Sequence, residues 1–473
     1  MSGKLPAVIA LLITLAVGPG PASARDAPVV RLEGGRLTVQ AESTPLVDVL
    51  TRLAAQGVKV RMDPRVNPEV TAWFISRKVQ DGLDALLRDQ NYALTWKTVR
   101  GPDGPVSRLA EIEVFVPGGR DRLVSLVKRP TLDVRAGPNG SLYVDRELIV
   151  YVARGATPEH VADLLRKTGA EIIAVDTRRG AYRLRLPGDA EPADVAASIS
   201  GHPAVAGASP NSAYPLPQRR NARPPEQERI PAPGVMASGA PTGVPVAILD
   251  SGLAPKAGLD GFLLASLDAM EPEAPMDDIV GHGTQMALVA SGQVAPHSAL
   301  ERETGKNPVI AVRAFDDNGY TSDCHIATSV DFAIENGARV ISLSWGGGTP
   351  SPYLEKVLRD ARDRGAVVVA AAGNAPTGEP VYPAAYDSTV GVGALRPDGS
   401  RWDKSNYGDF VSLYAPGFAT MPVGYNGDPG EYAGTSISTA YLSNVIATHM
   451  AKNPGLTAEE VYRALERNGA EDN

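Results

Sequence analysis

From Gly243 onward the chain alternates short unbroken apolar runs with helical stretches, and this alternation limits its fold more than any other feature. Val244–Leu249, Val309–Ala314, Val340–Ser344 and Val367–Ala371 are of strand length and almost wholly apolar. A strand with one wet face alternates apolar and polar residues, whereas an unbroken run is covered on both faces. His282–Ser291, Ser322–Gly337, Pro352–Arg364 and Ser436–Ala451 read as the intervening helices. The expectation is an α/β domain with a parallel sheet between two helical layers. In such sheets functional groups gather at the carboxyl ends of the strands.

Four short motifs fall at those places. Asp250-Ser251-Gly252 ends the first run, Gly281-His282-Gly283-Thr284 opens a helix, Ala372-Gly373-Asn374 follows Val367–Ala371, and Gly434-Thr435-Ser436 opens the long C-terminal helix. A serine hydroxyl is protonated at neutral pH and needs a base in contact to become a nucleophile. An imidazole such as His282, with an ordinary pKa near ~6.5, can take that proton and return it to a leaving amine. A carboxylate at Asp250 can hold the second ring nitrogen. An amide at Asn374, with the Ser436 backbone N–H, can face a developing oxyanion.

Taken singly, each of these residues also reads as a turn residue or a helix cap. Together, in the order Asp, His, Ser, they resemble the subtilisin-like serine proteases, the subtilases, whose order differs from that of chymotrypsin and of the α/β-hydrolases. The resemblance runs from about Pro241 to Ala470. It implies a three-layer subtilisin-like fold and endopeptidase action on proteins or peptides through an acyl-enzyme. Asp250, His282, Ser436 and Asn374 would be catalytic, and no cofactor would be required. It also implies that Ser344-Trp345-Gly346-Gly347-Gly348 lines the substrate cleft, its glycines letting a peptide pair as an added strand. Gln285 stands where many members carry a second histidine, and Ile437-Ser438-Thr439-Ala440 stands where Met-Ala-x-Pro is common. The Asn-rich calcium loop of many members is not recognisable. Asp277, Asp278, Asp316 and Asp317 read equally as cation ligands or as loop carboxylates, so calcium stays open and no metal ligand is assigned. His297, His325 and His449 lack metal-ligand spacing.

Upstream, residues 145–214 read βαββαβ: strands at Glu147–Val152, Glu171–Asp176, Ala181–Leu186 and Val205–Ala208, with helices at Thr157–Thr168 and Glu191–Ser200. That order suits an antiparallel sheet covered on one face by helices. Ending at Ser209-Pro210-Asn211 directly before the protease-like region, it resembles the subtilisin-type propeptide. The likeness implies a folding assistant whose tail fills the active-site cleft as an intramolecular inhibitor. Residues 215–240, rich in Pro and carrying Arg219, Arg220 and Arg223, read as an exposed linker where maturation would cut.

Residues 28–117 hold a repeated helix–strand pattern. Leu46, Val49, Leu50 and Leu53 recur on one helical face after Thr44-Pro45, read as N-cap and first helical residue, and Val58–Met62 follows as a strand. Val79–Leu87 and Tyr92–Trp96 repeat the unit. The module resembles the short N-terminal domain of secretins and TonB-dependent receptors, which implies an envelope protein partner. A plain α+β pro-region is the alternative. The broader alternative for the whole chain is an envelope interaction protein whose protease activity is limited to self-cleavage or absent.

Lys4, the apolar stretch Leu5–Val17 and Ala22-Ser23-Ala24 form a secretory signal peptide over residues 1–24, too short to span a bilayer. The mature chain is therefore expected to be secreted or periplasmic, with no membrane span. Its 473 residues suit two to four domains, and a net charge of −8 offers no general basic surface for nucleic acid. Cys324 is the sole cysteine, so no intrachain disulfide can form; its helical setting beside Ile326 and Val330 reads as a buried structural thiol.

Overall fold

The computed structural model describes residues 28–217 and 241–471, with short breaks at 34, 55, 57, 102–103, 127–129, 138–139, 255–256, 260, 273, 275, 301–302 and 424–428. The expected signal peptide and most of the expected linker lie outside the described residues. The chain divides into two compact units at Lys128/Arg129.

The first unit contains β1 (Val29–Glu33), β2 (Arg36–Pro45), α1 (Leu46–Ala54), β3 (Lys59–Met62), β4 (Glu69–Lys78), α2 (Val79–Leu86), β5 (Asn91–Gly101), β6 (Gly104–Phe115) and β7 (Val124–Ser125). They form a three-stranded sheet, β1-β2-β4, and a four-stranded sheet, β5-β6-β3-β7. Leu46, Val49, Leu50 and Leu53 are buried as their spacing predicts. Thr44 and Pro45 do not start the helix, however: both continue β2. The first helical N–H groups bond instead to Pro68 O at 2.9 Å and Asn67 Oδ1 at 3.0 Å. A loop distant in sequence caps α1, and no local pattern could reveal that. Pairing of β3 with β7 carries the module past residue 117.

The second unit opens with β8 (Val134–Ala136), β9 (Leu142–Val152), α3 (Pro158–Thr168), β10 (Glu171–Asp176), β11 (Ala181–Arg185), α4 (Pro192–Ser198) and β12 (Val205–Pro215). The sheet is antiparallel, ordered β10-β11-β9-β12, and β8 adds to β9, so this module begins earlier than residue 145. α3 has its expected start, with Thr157 and His160 forming a reciprocal cap, and ends on Gly169 at φ 64°.

The rest comprises β13 (Val246–Asp250), β14 (Leu263–Asp268), α5 (His282–Ala290), β15 (Val309–Arg313), β16 (Tyr320–Ser322), α6 (Asp323–Glu335), β17 (Val340–Leu343), α7 (Pro352–Asp363), β18 (Val367–Ala371), β19 (Val390–Leu395), β20 (Leu413–Pro416), β21 (Phe418–Met421), β22 (Gly430–Ala433), α8 (Thr435–Lys452) and α9 (Ala458–Glu471). Seven strands, β14-β15-β13-β17-β18-β19-β20, form one parallel sheet. Every residue of β13 is buried because the strand feeds two cores. Val246 and Ile248 pack with α5 and α8, while Ala247 and Leu249 pack with α6 and α7. From β13 the chain first builds one side of the sheet and then crosses to the other. Asp250, at the carboxyl end of β13, sits where that reversal opens a crevice.

Three strands beyond the four expected belong to this sheet. β14 is an edge strand with exposed Leu264, and β19 is broken up by glycines. Those glycines answer crowding: a Cβ at Gly391 would stand 2.3 Å from Phe410 O, and one at Gly393 2.3 Å from the Tyr414 ring. Among the described residues no helix is long and apolar enough to cross a membrane.

Candidate active site

Two of the motifs meet through backbone close approach. Gly252 has φ +119°, and a Cβ there would lie 2.0 Å from Asp277 O. A Cβ on Gly283 would lie 2.4 Å from Gly252 O, so only glycine lets α5 begin against the turn that follows β13. Gly283 N donates to Ser251 Oγ at 2.8 Å. Thr284 Oγ1 donates to Asp278 Oδ2 at 2.7 Å and accepts from Ala254 N at 2.9 Å. The small residues of the two motifs thus fix the start of α5 on the end of β13.

This fastening brings His282 Nδ1 to 2.8 and 3.0 Å from the two Asp250 oxygens. Both residues are buried. An anionic carboxylate only accepts, so the proton sits on Nδ1 and Nε2 carries the lone pair. Burial alone would lower the His282 pKa. The Asp250 charge and hydrogen bond, with a smaller contribution from Asp278, outweigh it and raise the pKa above the ordinary value.

Ser436 is the second residue of α8, where backbone N–H groups lack acceptors within the helix. Its Oγ donates to Ser344 O at 3.3 Å, and Ser344 Oγ donates to Ser436 O at 3.3 Å, tying the helix start to the end of β17. Asn374 follows β18, and its Oδ1 accepts from Thr435 N and Thr435 Oγ1, both at 2.9 Å. A backbone N–H can face only the amide oxygen, so the Asn374 NH₂ is turned the other way. Ser344, Trp345, Gly346, Asn374 and Ser436 line one cavity of about 270 Å³. Trp345 is held by its indole N–H on Leu249 O at 2.9 Å.

Pro215, Leu216 and Pro217 line the same cavity. β12 reaches it by pairing antiparallel with β16, Ala213 opposite Ser322 and Pro215 opposite Tyr320, and Leu216 N then donates to Gly319 O at 2.8 Å. The tail of the small antiparallel module therefore pairs with β16, while Ser344, Trp345 and Gly346 line the cavity beside Ser436. Gly347 N and O are taken by Tyr382 at 2.8 Å each, and a Cβ on Gly347 would lie 3.5 Å from the Tyr214 ring. β16 is three residues long, too short to read as a docking edge.

Polar anchors hold the small antiparallel module here. Tyr214 OH donates to Asp323 Oδ1 at 2.9 Å and Ser212 N to Oδ2 at 3.2 Å, beside Ser351 Oγ at 2.6 Å. Burial pushes the Asp323 pKa up to about 6, although hydrogen bonds from Ser351, Tyr214 and Ser212 pull it back. Arg179, in the β10–β11 turn, places a fully buried guanidinium against both oxygens of Asp331 at 2.9 and 3.0 Å and against Asp176 at 3.0 Å, with Nε 3.2 Å from Asp360. A turn arginine reads as solvated charge in the sequence, so both anchors escaped notice there. Asn211 Oδ1 accepts from Cys324 N at 3.4 Å. Cys324 is partly buried, and burial raises its thiol pKa to about 12.

The four loop carboxylates do not gather into a cage. Asp277 and Asp278 accept from backbone N–H groups of their own loop, and Asp316 from Leu132, Asn318 and Tyr320. Asp317 pairs with Arg313 at 2.6 Å. Among the described residues no three His, Cys, Asp or Glu side chains cluster as metal ligands.

A model of the subtilase family matches residues 241–473, and a model of the fervidolysin N-terminal prodomain matches residues 130–211. The chain is 33% identical to a subtilisin of Bacillus pumilus over 50% of its own length and 88% of that protein. It is 29% identical to thermitase of Thermoactinomyces vulgaris over 50% of its length and 85% of the relative. The solved structure of fervidolysin from Fervidobacterium pennivorans shares the fold, with a TM-score of 0.52, 19% identity, and coverage of 72% of this chain and 59% of that one. The chain belongs to the subtilase family. It is a serine-type endopeptidase made as a proenzyme, with a propeptide ahead of its catalytic domain.

Proposed function

We propose that Ser436 is the nucleophile of this endopeptidase, His282 its general base and acid, Asp250 the group that orients and charges the imidazole, and Asn374 with Ser436 N the oxyanion donors. The observation that carries the reading is the His282 Nδ1–Asp250 contact at 2.8 Å, which leaves Nε2 as the basic nitrogen. The Asn374 amide, anchored through its oxygen on Thr435, supports the oxyanion role. Attack of Ser436 Oγ on a peptide carbonyl gives an acyl-enzyme and the leaving amine, which takes the proton from His282. Water then releases the acid. Ser344, Trp345 and Gly346 bound the substrate cleft. The propeptide tail, running on β16 to Pro217, is the built-in inhibitor, and processing follows within residues 218–240. The N-terminal signal sequence directs the chain out of the cytoplasm, to the periplasm or beyond.

The 28–117 module is the part that meets an envelope protein. Trp73, 65% exposed, and Ile75, 74% exposed, support this: they stand on β4, an edge strand of its sheet. Ser436→Ala should abolish casein cleavage and leave the precursor uncut; equal cleavage by both proteins rules the assignment out.

A further inference from the structure

We propose that Pro215 and Pro217 keep the propeptide tail whole while it fills the cleft. They let it bind as a strand paired on one edge only, which Ser436 does not cut, so residues 213–217 persist as an inhibitor and the processing cut falls after them. This rests on Ser436 being the nucleophile, and it gives the tail and a substrate different pairing in the same cleft.

In an extended strand successive N–H groups face opposite edges. Tyr214 stands opposite Thr321, and Leu216 N donates to Gly319 O at 2.8 Å, so positions 214 and 216 turn their N–H groups toward β16. Positions 213, 215 and 217 turn toward the other edge. Upstream, β9 fills that edge, with Ser209 opposite Ile149 and Ser212 opposite Tyr143. Beyond Ser212 the edge reaches Ser344, Trp345 and Gly346, which line the cavity with Pro215 and Pro217. Proline has no N–H, so neither position has a donor to offer this segment. The tail is thus paired on two edges as far as Ser212 and on one edge where it nears Ser436. Within a strand, proline is tolerated on such an edge. Each proline also keeps the residue before it extended, which suits Tyr214 and Leu216 on β16.

A polypeptide with ordinary residues at these two places would carry both N–H groups. It could pair with β16 and with the backbone of residues 344–346 at once, and its scissile carbonyl would be fixed from both sides. With Pro217 in place, Ser344 O accepts instead from Ser436 Oγ, at 3.3 Å. A carbonyl accepts a hydrogen bond but does not take the proton, so a hydroxyl aimed at Ser344 O is not aimed at its base. The tail blocks the cleft without presenting a bond in attack geometry. The cut within residues 218–240 is made while the strip is out of the cleft, and the strip returns whole.

The test follows the propeptide fragment formed by the full-length precursor, with its C-terminus read by mass spectrometry over time. In wild type the fragment should end at residue 218 or later and keep residues 213–217. Pro217→Ala should give a second fragment ending at residue 217. Pro215→Ala combined with Pro217→Ala should destroy the strip and shorten the inhibited lag about tenfold or more, the worth of two further hydrogen bonds to the bound strand. The Ser436→Ala version of each precursor should give neither fragment. Fluorophosphonate labelling of the processed variants checks that each has folded. A wild-type fragment ending at Pro217 overturns the proposal, as does a doubly substituted tail that lasts as long as wild type in labelled enzyme, or a fragment ending at residue 217 that forms equally in the Ser436→Ala versions. If no form is labelled and none processes itself, the assignment of Ser436 falls and the tail proposal falls with it.

Discussion

Replacing Arg179 by Ala should loosen the propeptide after self-cleavage. The Arg179 side chain is 1% exposed, and its partners Asp176, Asp331 and Asp360 are 19%, 23% and 25% exposed. Removing one partner of a buried ion pair typically costs about 3–5 kcal/mol, because the remaining charge has lost its water without compensation. Here the carboxylates keep some water, and Arg364 and Lys356 still reach Asp331 and Asp360. A cost just below that range, about 2–3 kcal/mol, is the expectation, or about 30- to 150-fold in affinity. Arg178, 42% exposed and paired with Glu335 at 2.8 Å, is the internal control. Exposed pairs contribute about 0–1 kcal/mol. The assay dilutes the cleaved but still associated complex into a chromogenic substrate and follows the lag before full activity. Arg179→Ala should shorten the lag about 30-fold or more and Arg178→Ala by less than about fivefold. Equal lags in wild type and Arg179→Ala, with normal yields of processed protein, would refute the reasoning.

Hydrolysis should rise with pH through the His282 titration, with an apparent pKa in kcat/KM above ~6.5, because the Asp250 charge raises it; a midpoint below that value counts against Asp250 as its partner. The propeptide grip should change in the opposite sense. The Asp323 pKa is raised to about 6 under the propeptide, so this contribution is fully present below the ordinary carboxyl value and is lost as pH rises through about 6. Lag times at pH 4 to 7 should shorten with rising pH, and Asp323→Asn should remove that dependence; a lag that lengthens with pH contradicts it. Asn374→Ala should lower kcat by about 10²–10³, a range measured on subtilisin, with KM changed far less. A loss confined to KM would make Asn374 a binding residue.

The parts of the account legible in the sequence are those that depend on neighbours along the chain. The unbroken run over Val246–Leu249 feeds two cores, and its composition alone announces that. The Gly residues beside Asp250 and His282 mark backbone contacts of about 2–3 Å that no other residue allows, which is why those short motifs are informative. What stayed hidden comes from partners far apart in sequence. Pro68 and Asn67 take the first N–H groups of α1, so Thr44 is free to continue a strand. β16 matters only because β12 pairs with it. Arg179 reads as solvent-facing until Asp331 and Asp360 are brought to it from two helices. Spacing of apolar residues reports burial along an element, whereas these contacts depend on how separate elements pack.

The most direct test of the account treats wild type and variants, each cut within residues 218–240 by an added protease so that all share one processed form, with a fluorophosphonate and maps the adduct by peptide mass spectrometry. The label should fall on Ser436 alone, vanish in Ser436→Ala, and slow markedly in His282→Ala because the base is gone. An adduct on another serine, or labelling of Ser436 at an unchanged rate without His282, would contradict the nucleophile–base assignment.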